Sequence, residues 1–531
     1  MLLKYKQFNF FKTATFIGDI VKIIMFVLFC FLVTYLRETE CGIFAFFDFY
    51  LFVTLLIFGG LFILFFIKSY NFNKLFIVSF TISIILFGTF VEYLYFYDFF
   101  FEEYQMLIAY NLKIFNINFN IGVDGLSLWF ILLTTLIVPV VIFYNYGLIL
   151  TYFKEYLFLL LVLEWLMLNV FLVTNFILFF IFFESILIPM FLIIGIWGSR
   201  RRKIHAGYQF LLYTIFGSVF MISALFIIFT YIGSCEFNVF ENIYFHNNIK
   251  KLIFIFIFIS LSIKIPTIPF HLWLPEAHVE APTGGSIILA GILLKLGSYG
   301  MLRILVLIFS DVIMFFMPFI LTLLFISVFY GACSTLRQID LKKVIAYSSI
   351  VHMNFALLGL FSLTIDGLKG SIFLMLSHGL VSSLLFLCVG VLYDRYHTRN
   401  LKYYNGLNNF MPLYSIIFFF ATIANMGIPG SSSFISEFLI LIGLIKTSFL
   451  LSFLSGLLLI FGVLYAIWLY NRIIFGQINK SILIVKDLTL KEFVLTTFLI
   501  LSIFGFGLNG HLILNEIEVK LTKILILFLI N

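Results

Sequence analysis

Apolar runs long enough to cross a bilayer recur from one end of this chain to the other. A membrane-spanning helix needs about 20 mostly apolar residues, because lipid offers no partner to an unpaired backbone amide. With only 11% charged residues, the chain falls outside the range of soluble domains. We therefore predict an all-α, polytopic membrane protein with about fifteen spans. The predicted spans are residues 16–36, 43–67, 75–97, 123–145, 156–175, 176–197, 206–232, 252–274, 282–309, 312–335, 343–364, 368–393, 411–445, 450–471 and 492–509.

The charge of the predicted loops alternates in sign along the chain. Every second loop collects lysine and arginine, and the run Arg200-Arg201-Arg202-Lys203 is the densest example. The intervening loops carry acids such as Glu236, and Lys250 and Lys251 are the main exceptions. Basic loops remain on the matrix or cytoplasmic side of a membrane, so the alternation supports the assignment of the spans. The formal net charge of +7 therefore fits membrane topology better than nucleic-acid binding.

Two of the predicted spans are interrupted. Residues 252–274 contain Pro266 and Pro269, and residues 411–445 contain the segment Met426-Gly-Ile-Pro-Gly. Proline removes a backbone donor and clashes with the preceding turn, and such backbone is tolerated at membrane depth only inside protein or beside water. One broken helix in each half is typical of transporters built from inverted repeats, with their site near the midplane.

The predicted spans contain ionisable side chains that should be costly there. A lysine at the centre of a membrane helix costs about 3 kcal/mol, and residues 252–306 keep both Lys264 and Lys295. One acid–lysine pair could simply be a static link between two helices, whereas an alternating series of acid, lysine and histidine favours a proton relay. The series comprises Glu164, Glu184, Lys264, Lys295, His352, His378 and Glu437.

The acids and lysines of this series have distinct expected roles. An unpaired carboxylate in the apolar run around Glu184 would stay protonated, so we expect it to pair with Lys264 and to titrate together with it. Lys295 should lie at a similar depth on the following helix and begin a relay. Glu437 would end the relay by exchanging with bulk water or a further channel. Glu164 is expected only to orient its neighbours.

His352 and His378 are expected to pass protons between the lysines and Glu437. Histidine titrates near neutrality, although a lone buried histidine is more often a hydrogen-bonded core residue. Neighbouring serines could hold water beside them, or could serve only to pack helices closely. These serines are Ser348, Ser349, Ser377 and Ser383.

Sites for metals and redox cofactors are not expected on this chain. The five cysteines are scattered, without the spacing of a zinc or iron–sulfur site. The GxGxxG pattern at residues 505–510 ends a span and lacks the βαβ context of a dinucleotide site. Four polar residues lie in the turn after Pro269, where we expect the chain to leave the membrane, with Trp273 as an interfacial anchor. Their spacing fits no common metal motif; they are His271, Glu276, His278 and Glu280.

Several segments resemble the antiporter-like, proton-pumping membrane subunits of respiratory complex I, of the NADH dehydrogenase subunit 4 type. The most specific is PFHLWLPEAHVEAPTGGSIILAGILLKLGSYGMLRI, at residues 269–304. This segment contains Lys295 and begins shortly after Lys264. The other matching segments are IGVDGLSLWFILLTTLIVP at 121–139, FFESILIPMFLIIGIWG at 182–198, DLKKVIAYSSIVHMNF at 340–355, LSHGLVSSLLFLCVG at 376–390 and NMGIPGSSSFISEFLILIG at 425–443.

The resemblance implies about fourteen core helices in two inverted repeats, within residues 43–510. Residues 1–42 would add an N-terminal helix, and residues 511–531 would form a C-terminal tail. Its segment 521–530 is too short to span and would lie along the membrane or against a partner. The resemblance also implies that Glu184, Lys264, Lys295, His352, His378 and Glu437 take part in pumping. NADH, FMN, iron–sulfur clusters and ubiquinone would be bound by other subunits, and neighbouring membrane-arm subunits and lipid would be the partners.

The 75 phenylalanines fit an AT-rich organellar genome, so we expect an organelle-encoded protein of the mitochondrial inner membrane. Two alternatives to a pumping subunit stay open. A stand-alone cation/proton antiporter would show ion flux without NADH. A passive scaffold between pumping neighbours would leave the proton-to-electron ratio unchanged when the central residues are replaced.

Overall fold

The computed structural model describes residues 44–99, 104–112, 117–240, 246–477 and 486–530. The predicted N-terminal helix at 16–36 lies outside the described residues. The helices are α1 (Phe44–Phe66), α2 (Phe72–Phe96), α3 (Gly125–Asn145), α4 (Phe153–Leu172), α5 (Phe176–Ser185), α6 (Leu187–Trp197), α7 (Lys203–Ile232), α8 (Phe237–Phe240), α9 (Asn247–Lys264), α10 (Trp273–Glu280), α11 (Thr283–Val306), α12 (Ser310–Arg337), α13 (Leu341–Phe361), α14 (Ile365–Tyr396), α15 (Pro412–Asn425), α16 (Ser432–Thr447), α17 (Phe449–Ile474), α18 (Leu490–Leu508) and α19 (Gly510–Ile530).

Eleven helical segments in the described part are long and apolar enough to cross a membrane, counting α5 and α6 together. The helix α1 and the two broken spans, α9–α10 and α15–α16, account for the remaining predicted core spans. The all-α, polytopic membrane class is confirmed. The inverted-repeat relation and the boundaries at residues 42 and 510 stay predictions.

An antiparallel β-hairpin between α2 and α3 was not predicted. Its strands are β1 (Gln105–Leu112) and β2 (Ile117–Val123). Asn120 of β2 accepts a backbone hydrogen bond from Thr174 and donates its side-chain amide to Glu236 at 2.8 Å. The hairpin therefore joins the loops at one end of the helix bundle, which we call the acidic end because acidic residues predominate in its loops.

Ion pairs join loops at each of the two ends of the bundle. Lys250 contacts Asp311 at 2.6 Å at the acidic end. We call the other end of the bundle the basic end. There, Arg395 donates two hydrogen bonds to the carboxylate of Glu492. Each contact joins loops that the charge pattern assigns to one side.

The first broken span is interrupted between α9 and α10. Helix α9 ends at Lys264, and the indole N–H of Trp273 donates to the carbonyl of Ile263 at 2.9 Å. Trp273 is only 3% exposed. The prediction that it is an interfacial anchor was therefore wrong: its ring lies inside the bundle, where it satisfies a carbonyl in the last turn of α9.

The second broken span is interrupted between α15 and α16. Gly427 has a φ of +68°, which a residue with a side chain rarely adopts. Gly507 of α18 lies directly against the carbonyl of Gly430, where a Cβ atom would collide with the backbone. This close approach explains Gly507 of the GxGxxG pattern, which here spans the end of α18 and the start of α19.

The C-terminal helix α19 lies across the acidic end. Glu518 pairs with Lys369 at the start of α14 at 2.8 Å, and Lys520 lies 3.7 Å from Asp124, which caps α3. The structure therefore places the described part of the predicted tail against the chain's own helices.

Candidate functional site

The six predicted site residues lie on six different helical elements. Glu184 is on α5, Lys264 on α9, Lys295 on α11, His352 on α13, His378 on α14 and Glu437 on α16. The structure brings them together as two groups. We call Glu184 and Lys264 the outer pair, and Lys295, His378, His352 and Glu437 the inner chain.

The outer pair is formed as predicted. Lys264 Nζ lies 2.8 Å from Glu184 Oε1, and the side chains are 11% and 18% exposed. Lys264 also donates to the carbonyl of Phe183 at 3.2 Å and lies 3.5 Å from the centroid of its ring. Helix α5 ends at Ser185, so the acid occupies its last turn. Both side chains of the outer pair are partly exposed, so the pair lies near the edge of this chain.

The inner chain begins where α11 departs from regular α-helical geometry. Residues 289–293 form a π-helical segment, a feature frequent at functional sites. Lys295 reaches back along the helix to donate to the carbonyl of Ala290. Its Nζ also lies 2.8 Å from Nδ1 of His378. Lys295 is fully buried, so its amine depends on these two contacts for solvation.

The inner chain continues to the second broken span. The rings of His378 and His352 have centroids 5.7 Å apart. Nδ1 of His352 lies 3.4 Å from Oε1 of Glu437, and its Nε2 lies 3.4 Å from the hydroxyl of Tyr465. The Glu437 carboxylate rests against Gly427. The absence of a side chain at Gly427 is therefore what gives the acid its space.

The two groups are separated by apolar packing. Ile265, which follows Lys264, contacts Gly297, which lies two residues after Lys295. Within the described residues, neither an ion pair nor a hydrogen bond joins the outer pair to the inner chain. A proton passing between the groups therefore needs water or a movement of side chains.

The hydroxyls of the serines beside the histidines do not hydrogen-bond to the imidazole rings in the described structure. Each serine donates its hydroxyl to a carbonyl of its own helix, three or four residues earlier. This arrangement matches the helix-packing interpretation of Ser348, Ser349, Ser377 and Ser383.

The polar residues after the first break lie mostly inside the protein, and their predicted position at the membrane boundary stays a prediction. The ring of His278 is fully buried and stacks on Phe386 at 4.7 Å. Glu280 is 2% exposed, whereas Glu276 is a partly exposed partner of Lys343 at 2.7 Å. The described residues contain no cluster of three or more side chains suited to a metal ion.

Sequence reasoning missed a buried ion pair at the acidic end. Arg303, near the end of α11, contacts Asp124, and the two side chains are 2% and 1% exposed. Burial alone would raise the pKa of Asp124. The charges of Arg303 and Lys520, with hydrogen bonds from Arg303 and the Ser127 amide, outweigh burial and hold that pKa well below its usual range. The IGVDG motif contained the acid, but nothing in the sequence identified its partner.

The comparisons with known proteins give one consistent family. The family described as NADH:quinone oxidoreductase/Mrp antiporter matches residues 173–461, more than half of the chain. NADH-ubiquinone oxidoreductase chain 4 of Marchantia polymorpha is 48% identical over 410 residues, which cover 77% of this chain and 83% of that protein.

Solved structures share the fold. A chain of respiratory complex I from Thermus thermophilus, solved with bound NADH, superposes with a TM-score of 0.78 at 25% identity, covering 90% of this chain and 99% of the other. A chain of the Mrp complex from Dietzia sp. superposes with a TM-score of 0.78 at 16% identity, covering 89% and 97%.

Proposed function

This chain belongs to the NADH:quinone oxidoreductase/Mrp antiporter family, among its chain 4 members, and from that premise we propose how it moves protons. It is a proton-translocating membrane-arm subunit of respiratory NADH:ubiquinone oxidoreductase. The proposal is that protons travel through the inner chain and that the outer pair controls them. The contact between Lys295 and His378 supports this most directly, because it joins two proton acceptors inside a membrane bundle.

Proton transfer along the inner chain begins at Lys295. Its ammonium form donates an N–H to the lone pair on Nδ1 of His378. Transfer across this 2.8 Å contact leaves a neutral amine and an imidazolium. His378 then releases a proton from its other nitrogen toward His352, which lies close enough for a single water to bridge them.

Glu437 completes the sequence as the acceptor from His352. The contact of 3.4 Å is longer than an ideal hydrogen bond, so the transfer requires the imidazole to approach the carboxylate or a water to bridge them. Glu437 lies beside the broken backbone between α15 and α16, and such breaks are tolerated where they line a polar cavity. Glu437 therefore exchanges its proton with water at this break.

The outer pair supplies control through its charge. When Glu184 holds Lys264 at 2.8 Å, the two charges largely cancel for groups further away. Separation of the pair leaves an uncompensated ammonium charge on α9, which repels a second cation on neighbouring α11. Protonation of Lys295 thereby becomes less favourable, and its proton is driven toward His378. The position of the pair at the edge of the chain lets a neighbouring subunit trigger this step.

Electron transfer takes place elsewhere in the complex in this proposal. NADH, FMN, iron–sulfur clusters and ubiquinone are bound by other subunits, and this chain contributes only proton movement. Its partners are other membrane-arm subunits, including neighbouring antiporter-like ones, together with lipid. The location is the mitochondrial inner membrane, as the 48% identity to a chain 4 protein supports.

A stand-alone cation/proton antiporter is the second candidate function. The shared fold with a chain of the Mrp complex supports it. The sequence identity is 16% in that comparison and 48% with the Marchantia chain 4, which favours the respiratory subunit. Ion flux through reconstituted vesicles in the absence of NADH would favour the antiporter.

The test is made in the intact complex, reconstituted into vesicles. Glu184→Ala and Lys264→Ala should abolish most NADH-driven proton pumping while the complex still assembles. Lys250→Ala, which removes a lysine from a surface ion pair, is the matched control and should pump normally. Normal pumping by either outer-pair variant would refute the control mechanism. An unchanged proton-to-electron ratio in variants of all six residues would indicate a passive scaffold.

A further inference from the structure

Glu164 is a buried acid that the mechanism above does not use. It lies in the middle of α4, is 0% exposed, and neither carboxylate oxygen has a hydrogen-bond partner among the described residues. Buried polar groups are nearly always hydrogen-bonded, and those that are not require an explanation. An ionisable residue at membrane depth is by default a functional candidate.

The side of α4 on which the Glu164 side chain lies can be inferred from Phe171, which is seven residues later on the same helix face. The ring of Phe171 packs 5.4 Å from that of Phe130 on α3 and 5.0 Å from that of Tyr299 on α11. The Tyr299 hydroxyl donates to the carbonyl of Phe171 at 3.3 Å. Glu164 therefore faces the space between α3 and α11, two turns nearer the basic end.

Lys295 brings its amine to the same depth. Helices α4 and α11 both run from the basic end to the acidic end, so two turns back from Tyr299 is Ile292. The α-carbon of Lys295 is about 4.5 Å beyond that level, at 1.5 Å per residue. Its side chain reaches back to the carbonyl of Ala290, which returns Nζ to the depth of Glu164.

Lys295 also lacks an acidic partner. Its described contacts are the carbonyl of Ala290 and Nδ1 of His378, and no described carboxylate lies within ion-pair distance. A fully buried lysine without an acid and a fully buried acid without any partner thus lie at one depth on packed helices. We infer that Glu164 exchanges a proton with Lys295, as an additional group of the pumping reaction.

The inference rests on the proposed function and extends the inner chain by one residue. The O–H bond of protonated Glu164 breaks, the proton bonds to the lone pair of the Lys295 amine, and a carboxylate–ammonium pair results. The ammonium then transfers a proton to Nδ1 of His378. Lys295 thereby alternates between an acid on one side and an imidazole on the other, and the cycle closes when the Glu164 carboxylate takes up a new proton from water.

A purely structural acid makes a different prediction. An acid that stays protonated in every state can be replaced by glutamine, which has nearly the same shape and remains neutral. Exchange requires an ionisable group, so glutamine should fail. Glu164→Gln in the intact complex therefore separates the two roles.

The experiment measures NADH-driven proton uptake and quinone reduction by the reconstituted complex. Proton uptake by Glu164→Gln should fall about tenfold or more, as on removal of a proton-transfer group. Glu155→Gln, the same change at an exposed position of α4, should pump normally. An infrared difference spectrum of the turning-over complex should lose a carboxylic-acid band in Glu164→Gln. Normal pumping with an unchanged band overturns the inference.

Two further variants test the inference if the complex that carries Glu164→Gln does not assemble. Glu164→Asp retains an acid, whereas Glu164→Leu retains only volume. Proton pumping by Glu164→Asp but not by Glu164→Leu supports proton exchange at this position. Equal pumping by the two variants overturns the inference. Glu184→Gln is measured in parallel: if it alone loses pumping, only this inference fails, and if both glutamine variants pump normally, the proposed function fails as well.

Discussion

Nζ of Lys295 lies 2.8 Å from Nδ1 of His378, so in this geometry the two residues hold at most one positive charge. An ammonium has no lone pair and an imidazolium has none on either nitrogen. One member must therefore be neutral to accept the hydrogen bond. Both side chains are buried, so water does not screen a second charge. The contact is in effect one proton site shared by α11 and α14.

Replacing His378 tests this shared site. In His378→Gln the side-chain amide can still hydrogen-bond to Lys295, but it cannot accept a proton. Assembly should be retained, and NADH-driven proton pumping should fall about tenfold or more. His205→Gln, at an exposed position of α7, is the matched control. Pumping at the unmodified rate in His378→Gln would show that protons do not pass through this ring.

Replacing Trp273 tests how the first break positions Lys264. Phenylalanine keeps the aromatic packing but leaves the carbonyl of Ile263 without its indole donor. A buried acceptor left unpaired costs about 1–3 kcal/mol. Trp273→Phe should lower the thermal denaturation temperature of the complex, and it should reduce pumping because Ile263 adjoins Lys264. Trp468→Phe on α17 is the control, and equal stability of the two variants would contradict the role of this hydrogen bond.

The sequence predicted those parts of the site that follow from the free-energy cost of a charge in an apolar run or from a visible break in the helix pattern. Charged residues within apolar runs identify Glu184 and Lys264 as partners, since neither is tolerated alone. The helix break at Gly-Ile-Pro-Gly is likewise visible in the amino-acid sequence. The hairpin was missed although its signal was present: Asn118 to Ile121 alternate polar and apolar residues, as a half-buried strand does.

Pairings across long stretches of chain could not be predicted. Lys295 and His378 are separated by 83 residues, and Asp124 and Arg303 by 179. Which helices become neighbours depends on packing of nearly uniform apolar surfaces, where many arrangements bury similar area. The burial of His278 could not be predicted for the same reason, since only the tertiary fold shows its ring stacked on that of Phe386.

Asp124→Asn should destabilise the chain by about 3–5 kcal/mol, because it leaves the buried charge of Arg303 unpaired. The pKa of Asp124 lies well below the ordinary value near 4. Its stabilising contribution is therefore complete above about pH 5 and is lost only as the pH falls through the folded-state pKa.

Thermal denaturation of the complex from pH 8 to pH 4 checks this prediction. The gap between the unmodified chain and Asp124→Asn should stay constant across most of this range. Asp311→Asn, in an exposed pair, is the control and should cost at most about 1 kcal/mol. A gap that closes near neutral pH would mean that Asp124 is not held ionised by Arg303.

Glu516 makes the docking of α19 depend on pH near neutrality. Its backbone carbonyl lies close to Gly125 at the start of α3, and burial raises the pKa of its carboxyl to about 7. The docked helix therefore binds a proton more tightly than the undocked helix, whose acid has an ordinary pKa near 4. Docking should weaken as the pH rises from about 4 to 7 and then stay constant.

Hydrogen exchange of the α19 amides at pH 6 and pH 8, corrected for intrinsic rates, measures this pH dependence of docking. Glu516→Gln should abolish the difference, whereas Glu155→Gln should retain it; a difference that persists in Glu516→Gln would assign the pH dependence to another group.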